Sequence, residues 1–241
     1  MKEETIYYDE NNQKIKVLTY HNNDELKAEA NFKNDQLHGL FKSYLDTGHL
    51  KSECFFEFGK LNGCTICYDT EGNITQKMFF VDGLLDGLFS HYDNSQLQLQ
   101  ISYVKGKKNG LMISYAANGN KKQIANYEND IQSGECITYD ENSLEVVMKC
   151  QFNKGKKHGK SYIYYPNSNG KIYEESVFEN NLLEGFLTRY DANGQVQQIC
   201  EYIKGKQTGT PVSFNAQGEP IEEISSPQVK NKVGLWKLLF G

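Results

Sequence analysis

The chain has 241 residues, a net charge of −5 and a pI of about 5.6. This acidic balance excludes general nucleic-acid binding, which needs a basic field. No apolar run is long enough for a transmembrane helix and no apolar signal segment opens the chain, so we expect a cytoplasmic protein. Its 16 Tyr, 13 Phe and 21 Gly, with only 4 Pro, favour β structure with many turns.

The first predicted elements are degenerate units of a repeat that begins near residue 7. Tyr8 and Tyr20 are twelve residues apart, and the segment "YHNNDELKAEANF" from Tyr20 aligns without a gap with "YLDTGHLKSECFF" from Tyr44. These units lack the glycine that closes each later unit. Such degeneracy is expected at the capping end of a repeat array.

Eight full units follow, and each is marked by a glycine with aromatic residues at fixed distances. One aromatic stands seven residues before the glycine and another stands five residues after it, in all eight units. The glycines recur at intervals of 23 to 26 residues. The marker residues are Phe32, Gly39, Tyr44, Phe56, Gly63, Tyr68, Phe80, Gly87, Tyr92, Tyr103, Gly110, Tyr115, Tyr127, Gly134, Tyr139, Phe152, Gly159, Tyr164, Phe178, Gly185, Tyr190, Tyr202, Gly209 and Phe214.

The spacing of the aromatics indicates that each unit is one β-hairpin. A spacing of about twelve residues suits a short strand plus a turn and is too small for a helix plus its connection. Segments such as "LFKSY", "CTICY" and "LMISY" are rich in strand-forming residues, and Asn-Gly or Asp-Gly pairs mark the turns. The sequence therefore predicts an all-β fold, an elongated antiparallel β-meander of about eight to nine 24-residue hairpin repeats in a twisted open sheet.

This pattern resembles the MORN-repeat family, and most closely its bacterial variant. The resemblance rests on segments such as "CQFNKGKKHGKSYIYYPNSNGK" and covers residues 7–218. It implies an elongated sheet of hairpins that serves as a binding module for proteins or membranes, and some bacterial relatives are labelled antitoxins. The repeats here lack Trp, which departs from the family pattern. The family carries no catalytic residues to transfer. A leucine-rich repeat has a comparable period, but its leucine frame is absent.

Three of the six cysteines occupy one slot of the repeat, nine residues before the glycine. Cys54, Cys150 and Cys200 share this slot with small or apolar residues, on the strand face that carries the first aromatic. They are predicted to pack in the core, with a reactive thiol as the alternative. Cys64 and Cys67 have the spacing of a zinc or redox pair, but no second pair or ligand histidine accompanies them. We therefore expect no metal site, cofactor or catalytic residue.

The turns that follow the first aromatic alternate in chemistry along the chain. Even-numbered repeats carry basic turns such as "KGKKNG", and odd-numbered repeats carry acidic and aliphatic turns such as "NNLLEG". In one interpretation the lysines form ion pairs with Asp82, Asp86, Asp130 and Glu184 on a solvated rim, which stabilise little. In the other, the turns form a mixed-charge edge that binds a partner. The predicted contact residues of that edge are Lys107, Lys108, Lys156, Lys157, Leu84, Leu85, Leu182 and Leu183.

The composition of the chain changes after the last repeat. Residues 1–218 form the predicted repeat array, and residues 219–241 form a linker followed by the apolar and basic segment "VKNKVGLWKLLFG". This segment is predicted either to cap the open edge of the last strand or to anchor the chain to a membrane or partner. Trp236 and Phe240 are its candidate contact residues.

These observations favour a non-enzymatic repeat scaffold that binds another protein. The resemblance suggests an antitoxin- or immunity-type neutraliser, whose partner is a toxin. The alternative is a module on a membrane surface that binds anionic lipid through its Lys-rich turns and the Trp236 segment. Neither alternative involves nucleic acid or a small-molecule substrate. An enzyme has little support, because the sequence contains no catalytic motif.

Overall fold

Strands and turns make up the whole of the chain that the structure describes. The computed structural model describes residues 2–221, and this span contains 22 strands and no helix. It therefore holds no helix long and apolar enough to cross a membrane. The strands are β1 (Thr5–Tyr8), β2 (Lys14–Tyr20), β3 (Leu26–Lys33), β4 (Gln36–Tyr44), β5 (Leu50–Glu57), β6 (Lys60–Tyr68), β7 (Ile74–Val81), β8 (Leu84–Leu85), β9 (Gly87–Asp93), β10 (Gln96–Val104), β11 (Lys107–Tyr115), β12 (Lys121–Glu128), β13 (Ile131–Tyr139), β14 (Val146–Asn153), β15 (Lys156–Tyr164), β16 (Ile172–Glu179), β17 (Leu182–Leu183), β18 (Gly185–Tyr190), β19 (Val196–Ile203), β20 (Lys206–Gln207), β21 (Val212–Phe214) and β22 (Pro220–Ile221).

The strands form one open antiparallel sheet in which each strand pairs with its neighbours in the sequence. For example, β4 pairs with β3 on one side and with β5 on the other. Three hairpin arms are interrupted for a few residues, because β8 and β9 both pair with β7, β17 and β18 with β16, and β20 and β21 with β19. The predicted all-β meander of hairpin repeats is confirmed.

The turns that follow the first aromatics lie on one side of the sheet, which we call edge 1. In the eight full repeats they consist of two residues, both in the left-handed region, with φ between +46° and +82°. This turn type matches the right-handed twist of the flanking strands. Asn, Asp and Gly adopt it at low cost, which explains their frequency there. The turn pairs are Asn34 and Asp35, Phe58 and Gly59, Asp82 and Gly83, Lys105 and Gly106, Asn129 and Asp130, Lys154 and Gly155, Asn180 and Asn181, and Lys204 and Gly205.

The turns on the opposite side, edge 2, are mostly longer, and several are closed by an Asp or Asn side chain. The Asp69 carboxylate accepts hydrogen bonds from the backbone N–H groups of Glu71 and Asn73, each at 2.9 Å. Asp191 accepts two equivalent bonds at 2.8 Å. The bond from the last residue of the turn, Asn73 or Gln195, is the main cause of a lowered pKa of the corresponding aspartate, because it stabilises the charged form.

The glycine of each of the first seven full repeats lies in a bulge opposite the first aromatic of the next repeat. Gly39 pairs with Phe56 and Gly87 with Tyr103, and the same pairing recurs at all seven junctions between full repeats. Gly87 shows why glycine is needed. Its φ is +127°, and a Cβ there would lie 3.1 Å from the Cβ of Phe79. Any other residue would strain the backbone and press on the neighbouring strand.

We call the side of the sheet that carries the first aromatics face 1. A stripe of paired, mostly small or apolar side chains crosses face 1 from strand to strand. Ala125, Cys136 and Cys150 are 1–3 % exposed, and Tyr127 and Phe152 pack against them. No large side chain of the described residues is fully buried, and most of the buried residues lie in this stripe. It consists of Ala30, Phe41, Cys54, Thr65, Met78, Phe89, Ile101, Met112, Ala125, Cys136, Cys150, Ser161, Ser176, Leu187 and Cys200.

The opposite side, face 2, carries the second aromatics. The Tyr68 hydroxyl donates to Glu53 Oε1 at 2.8 Å, and the Tyr115 hydroxyl donates to Gln100 Oε1 at 2.9 Å. Both acceptors directly precede a residue of the face-1 stripe, so strand alternation places them on face 2. Burial, followed by the hydrogen bond to Glu53, raises the pKa of Tyr68 to about 12. The two aromatic columns therefore lie on opposite faces.

Candidate functional site

An exposed apolar patch occupies face 2 between β4 and β11. Its large side chains are 40–50 % exposed. Leu40 pairs with Phe55, Val81 pairs with Leu84, and Phe79 pairs with the exposed Cys64, so these side chains are neighbours across the strands. The patch consists of Leu40, Phe55, Phe79, Val81, Leu84, Leu88, Val104 and Leu111.

The size of this patch indicates a contact surface. Eight large side chains at this exposure present on the order of 600 Å² of apolar area, which is at the upper end for a monomeric protein. An open depression of about 390 Å³ borders it, and Phe79, Leu88 and Tyr92 are among its lining residues. Contiguous apolar patches of this size mark protein or membrane interaction sites.

The corresponding slots are mostly polar in the second half of the chain. Glu135 pairs with Gln151, and Lys160 pairs with Val177. Lys160 Nζ donates to Glu175 Oε1 at 2.8 Å, and this bond raises the pKa of Lys160. An open depression of about 260 Å³ there is lined mainly by charged and tyrosine side chains. The contiguous apolar patch is therefore confined to the first half of the sheet.

Two lysines, Lys42 and Lys107, border the patch with neither an ion pair nor a side-chain hydrogen bond among the described residues. The nearby carboxylates are engaged, because Glu53 and Glu57 accept hydrogen bonds from side chains and Asp82 lies 3.7 Å from a lysine ammonium. A partner that carries carboxylates around an apolar centre would complement this arrangement.

The structure separates the edge-1 residues that the sequence grouped into one binding edge. Lys107 is exposed on face 2, whereas Lys108 Nζ lies 5.3 Å from the ring centre of Tyr127 on face 1. Lys157 Nζ likewise lies 3.9 Å from the ring centre of Phe178. Such cation–π contacts engage these ammonium groups within the sheet. The exposed members of the predicted set are Leu84, Lys107, Lys156 and Leu182, and the half-buried members on face 1 are Leu85, Lys108, Lys157 and Leu183.

Backbone hydrogen bonds between neighbouring turns hold edge 1 together. The Gly59 N–H donates to the Leu37 carbonyl at 2.8 Å, and the Gly106 N–H donates to the Leu85 carbonyl at 2.7 Å. The equivalent bond, from the second turn residue to the residue two before the preceding glycine, is present at all seven junctions between full repeats. The spacing of the turns is thus held by the backbone itself.

The alternating turn chemistry reflects two kinds of junction between repeats. In the first kind, the side chain of the residue before the glycine accepts a hydrogen bond from a backbone N–H group of the next edge-1 turn. Asp86 accepts from the Lys105 N–H at 3.2 Å, and Glu184 accepts from the Lys204 N–H at 2.7 Å. A carboxylate is favoured at this position because it compensates a backbone donor at the tip of the turn.

In the second kind, a side chain of the next turn accepts from the preceding repeat. Asp130 accepts from the Lys108 N–H at 2.8 Å, and Asn181 accepts from the Lys157 N–H at 2.7 Å. An amide replaces the carboxylate at one of these positions, because the contact is a hydrogen bond and needs no net charge.

The predicted ion pairing between turns is correct for one acid and wrong for three. Asp82 pairs with Lys60. Asp86, Asp130 and Glu184 bind backbone N–H groups instead of lysine ammonium groups. The physical reason is entropy: the strand already fixes an N–H group, whereas an exposed lysine side chain must be immobilised to form an ion pair.

The cysteines of the "CTIC" segment do not form the pair that their spacing suggests. Cys64 and Cys67 are three residues apart in β6, so their side chains lie on opposite faces. Residues 2–221 contain no group of three or more His, Cys, Asp or Glu that could hold a metal ion. Cys54 is buried in the face-1 stripe, and burial raises the pKa of its thiol to about 11.

Most of the apolar patch was missed by sequence reasoning, which identified only Leu84. A signal for it exists in the slot directly after the glycine, which is apolar in the first four full repeats and charged in the next two. The predicted contact residues Trp236 and Phe240, and the predicted cap or anchor segment, lie outside the described residues. In chain order, the slot after the glycine holds Leu40, Cys64, Leu88, Leu111, Glu135, Lys160 and Phe186.

Four segments of the chain match the sequence model of a known family, described as MORN repeat variant. Each segment starts at edge 1, passes through an edge-2 turn and returns to edge 1, so it has about the length of one repeat but is offset by half a unit from the repeats that the glycines mark. The matches support a MORN-repeat protein. The matched residues are 13–34, 37–58, 108–129 and 183–204.

Two solved structures from toxin complexes align with the chain at low similarity. One is a mutant Tc holotoxin pore from Photorhabdus luminescens, at 11 % identity and a TM-score of 0.19, covering 90 % of this chain and 14 % of that chain. The other is a TcdB2–TccC3–TEV crystal structure, at 12 % identity and a TM-score of 0.19, covering 89 % of this chain and 17 % of that chain. Similarity at this level carries no argument about function. No curated protein matches the chain.

Proposed function

We propose that the chain is a non-enzymatic scaffold that binds another protein through the apolar patch on face 2. The exposure of the eight patch side chains carries this proposal. Covering on the order of 600 Å² of apolar surface corresponds to roughly 15 kcal/mol before the costs of association. A standard interface buries about 800 Å² on each partner, so the patch and its charged border match one side of such an interface.

The border of the patch defines the chemistry of the partner. Lys42 and Lys107 flank the apolar side chains without an ion-pair partner within residues 2–221. We therefore propose a protein partner with an apolar centre surrounded by carboxylates. The resemblance to MORN repeats of the bacterial variant supports a toxin as this partner, neutralised in the cytoplasm by steric occlusion. No catalytic step is part of this role.

The test compares binding by two matched variants. Affinity capture from the native host followed by mass spectrometry identifies the partner, which is then purified. In the patch variant, Phe55, Phe79 and Leu88 are changed to Gln. In the control variant, Gln151 and Lys160, which occupy the equivalent slots of the second half, are changed to Ala and Gln. Circular dichroism and urea unfolding establish that both variants fold.

The two variants are expected to differ strongly in affinity. Truncation of buried aromatic anchors removes most of the binding energy of an interface, so the patch variant should lose about 100-fold in Kd while the control stays within about twofold. A captured protein supports the proposal only if it shows this difference. A folded patch variant that binds as tightly as the unchanged chain would refute the proposal.

One observation favours a second candidate, a module on a membrane surface. Lys107 and Lys156 lie exposed on face 2 at edge 1, with Leu84 and Leu182 at equivalent positions of the neighbouring repeats. Such a mixture of cations and aliphatic side chains suits anionic lipid headgroups, and the Trp236 segment would add to it. Flotation with phosphatidylserine vesicles at low and high salt separates the candidates. Binding at low salt that a Lys107→Gln, Lys156→Gln variant loses would replace the protein-binding proposal.

A further inference from the structure

Cys136 and Cys150 face each other in the most buried part of the face-1 stripe. They lie on neighbouring strands, β13 and β14, and are paired in the ladder. Residues opposite each other in an antiparallel pair have Cα atoms roughly 4.5–5.5 Å apart, within the range that a disulfide bridges. Both side chains are 3 % exposed and carry free thiols.

We propose that this pair is a modification site, at which a small-molecule disulfide of the glutathione class oxidises Cys136 and Cys150 to an intramolecular disulfide. The Cys150 thiolate attacks one sulfur of the small disulfide, which breaks its S–S bond and releases one small thiolate. Cys136 loses its proton to solvent, attacks the Cys150 sulfur and displaces the second small thiolate. Two cysteine thiols are oxidised, and one small disulfide is reduced to two thiols.

The contacts of the pair assign the attacking sulfur. The side-chain hydrogen bond between the two thiols lowers the pKa of Cys150, because it stabilises the thiolate. The same bond raises the pKa of Cys136. The positive charge of Lys157 also lowers the pKa of Cys150. Because the thiolate is the nucleophile in disulfide exchange, Cys150 reacts first. The reaction requires local opening of the sheet, since both thiols are buried.

The other cysteines of the sheet supply an internal control. Cys54 pairs with Thr65, and Cys67 pairs with Ser52 in the same two strands, so the two cysteines are offset along the ladder. They are not directly opposite each other. Selective oxidation of the Cys136 and Cys150 pair would therefore depend on register and not on the presence of nearby thiols alone.

The next junction of the array shows which substitution the site tolerates. Ser161 and Ser176 occupy the same two slots one repeat further on, where they are 2 % and 4 % exposed and face each other. Two small hydroxyl side chains thus fit this position. The double variant Cys136→Ser, Cys150→Ser is expected to fold, because it reproduces that arrangement.

A disulfide at this position would join the fifth and sixth full repeats. In a linear array each repeat contacts only its neighbours, so stability depends on the junctions between them. A covalent bond at one central junction couples the two halves of the sheet. Since it closes a short loop, it should raise the Tm by about 5 °C.

Mass spectrometry of the unmodified full chain tests the proposal without any variant. The reduced protein is incubated with oxidised glutathione near neutral pH, the remaining thiols are alkylated, and peptides are mapped without reductant. The expected product is one linked peptide pair through Cys136 and Cys150, with Cys54 and Cys67 recovered as alkylated thiols. Recovery of Cys136 and Cys150 as alkylated thiols or as separate glutathione adducts would overturn it.

The thermal measurement adds a second readout. The oxidised chain should melt about 5 °C above the reduced chain, and the double Ser variant should show no difference between the two conditions. A rise of the same size in the Ser variant would assign the effect to another cysteine and would overturn the proposal.

Discussion

The two halves of face 2 use the same slots of the repeat and present different surfaces. In the first half these slots expose Phe55 and Phe79 among other apolar side chains. In the second half they hold mainly charged and polar residues, such as Lys160, which is bonded to Glu175. The pairing of glycine with the next aromatic is the same in both halves. The frame of the repeat is thus separable from the surface that it displays.

The bulge at the glycine is where the repeated backbone contacts the variable side chains of face 2. In the first half, a Cβ on Gly87 would lie 3.1 Å from the Cβ of Phe79. In the second half, a Cβ on Gly159 would lie 3.8 Å from the Cβ of Gln151, an ordinary contact. The bulge at Gly87 is therefore the more crowded of the two, and this difference can be measured.

The largest expected effect comes from replacing these two glycines by alanine. Gly87→Ala should cost about 3 kcal/mol in the free energy of unfolding, because it combines an unfavourable φ with overpacking. Gly159→Ala should cost about 1 kcal/mol, because the backbone strain acts alone. Urea unfolding of both variants measures the difference. Equal losses would show that the packing of the bulge does not distinguish the halves.

On face 1 we expect equal effects in the two halves, because the paired side chains of the stripe continue through both. The hydroxyl oxygens of Thr65 and Thr138 are buried without a hydrogen-bond partner. Thr65→Val and Thr138→Val should each stabilise the chain by about 1 kcal/mol, because valine keeps the shape and removes an unsatisfied polar group. Thermal unfolding of both variants is the measurement, and a gain in only one half would limit the common frame to part of the sheet.

A smaller gain is expected at an irregular edge-2 turn in the second half. Leu144 has a φ of +62° and is 51 % exposed, whereas Gly48 and Gly72 hold the corresponding turn positions in the first half. Leu144→Gly should stabilise by about 0.5–1 kcal/mol, because the left-handed conformation disfavours leucine. Leu144→Ala is the control and should give no comparable gain. Equal Tm values for both variants would contradict the assigned strain.

The smallest effect concerns pH and should again be common to both halves. The pKa values of Asp69 and Asp191 are lowered in the folded chain by backbone hydrogen bonds. The charged forms of these two aspartates therefore add to the free energy of unfolding. This contribution is complete above the unfolded pKa near 4 and is lost as the pH falls through the folded pKa. Asp69→Asn and Asp191→Asn keep an acceptor oxygen and should each reduce the loss of stability on acidification. Urea midpoints at neutral and acidic pH compare them, and an unchanged acid sensitivity would contradict this account.

The fold was predictable from the sequence because its determinants recur in every unit. Glycines and aromatics at fixed distances mark the hairpins, and the pairs of Gly39 with Phe56 and Gly87 with Tyr103 show what those distances produce. The alternation of turn chemistry also has a structural basis, but the sequence did not show that the acidic side chains bind backbone N–H groups.

The apolar patch was harder to predict because the bulge disturbs simple strand alternation. Between the pairs of Cys54 with Thr65 and Phe56 with Leu61, three residues of β6 lie opposite Phe55 alone. Assigning residues of β6 to face 1 or face 2 by simple alternation therefore fails unless the position of these extra residues is known. The exposure of Phe55 depends in addition on whether other parts of the chain cover face 2, and within residues 2–221 no second layer does so, which no local pattern encodes.

The two kinds of junction along edge 1 also bear on how such an array changes length. The two kinds occur on either side of the turn at Lys105 and Gly106. Asp86 of the repeat before this turn accepts from one of its flanking N–H groups, and Asp130 of the repeat after it accepts from another. Deleting one hairpin would place two repeats side by side that both supply the backbone N–H donor or both supply the side-chain acceptor of this hydrogen bond. Deleting two neighbouring hairpins would keep a donor repeat next to an acceptor repeat. We therefore expect the natural increment of this scaffold to be a pair of hairpins, so that its reach along a partner grows or shrinks in double steps.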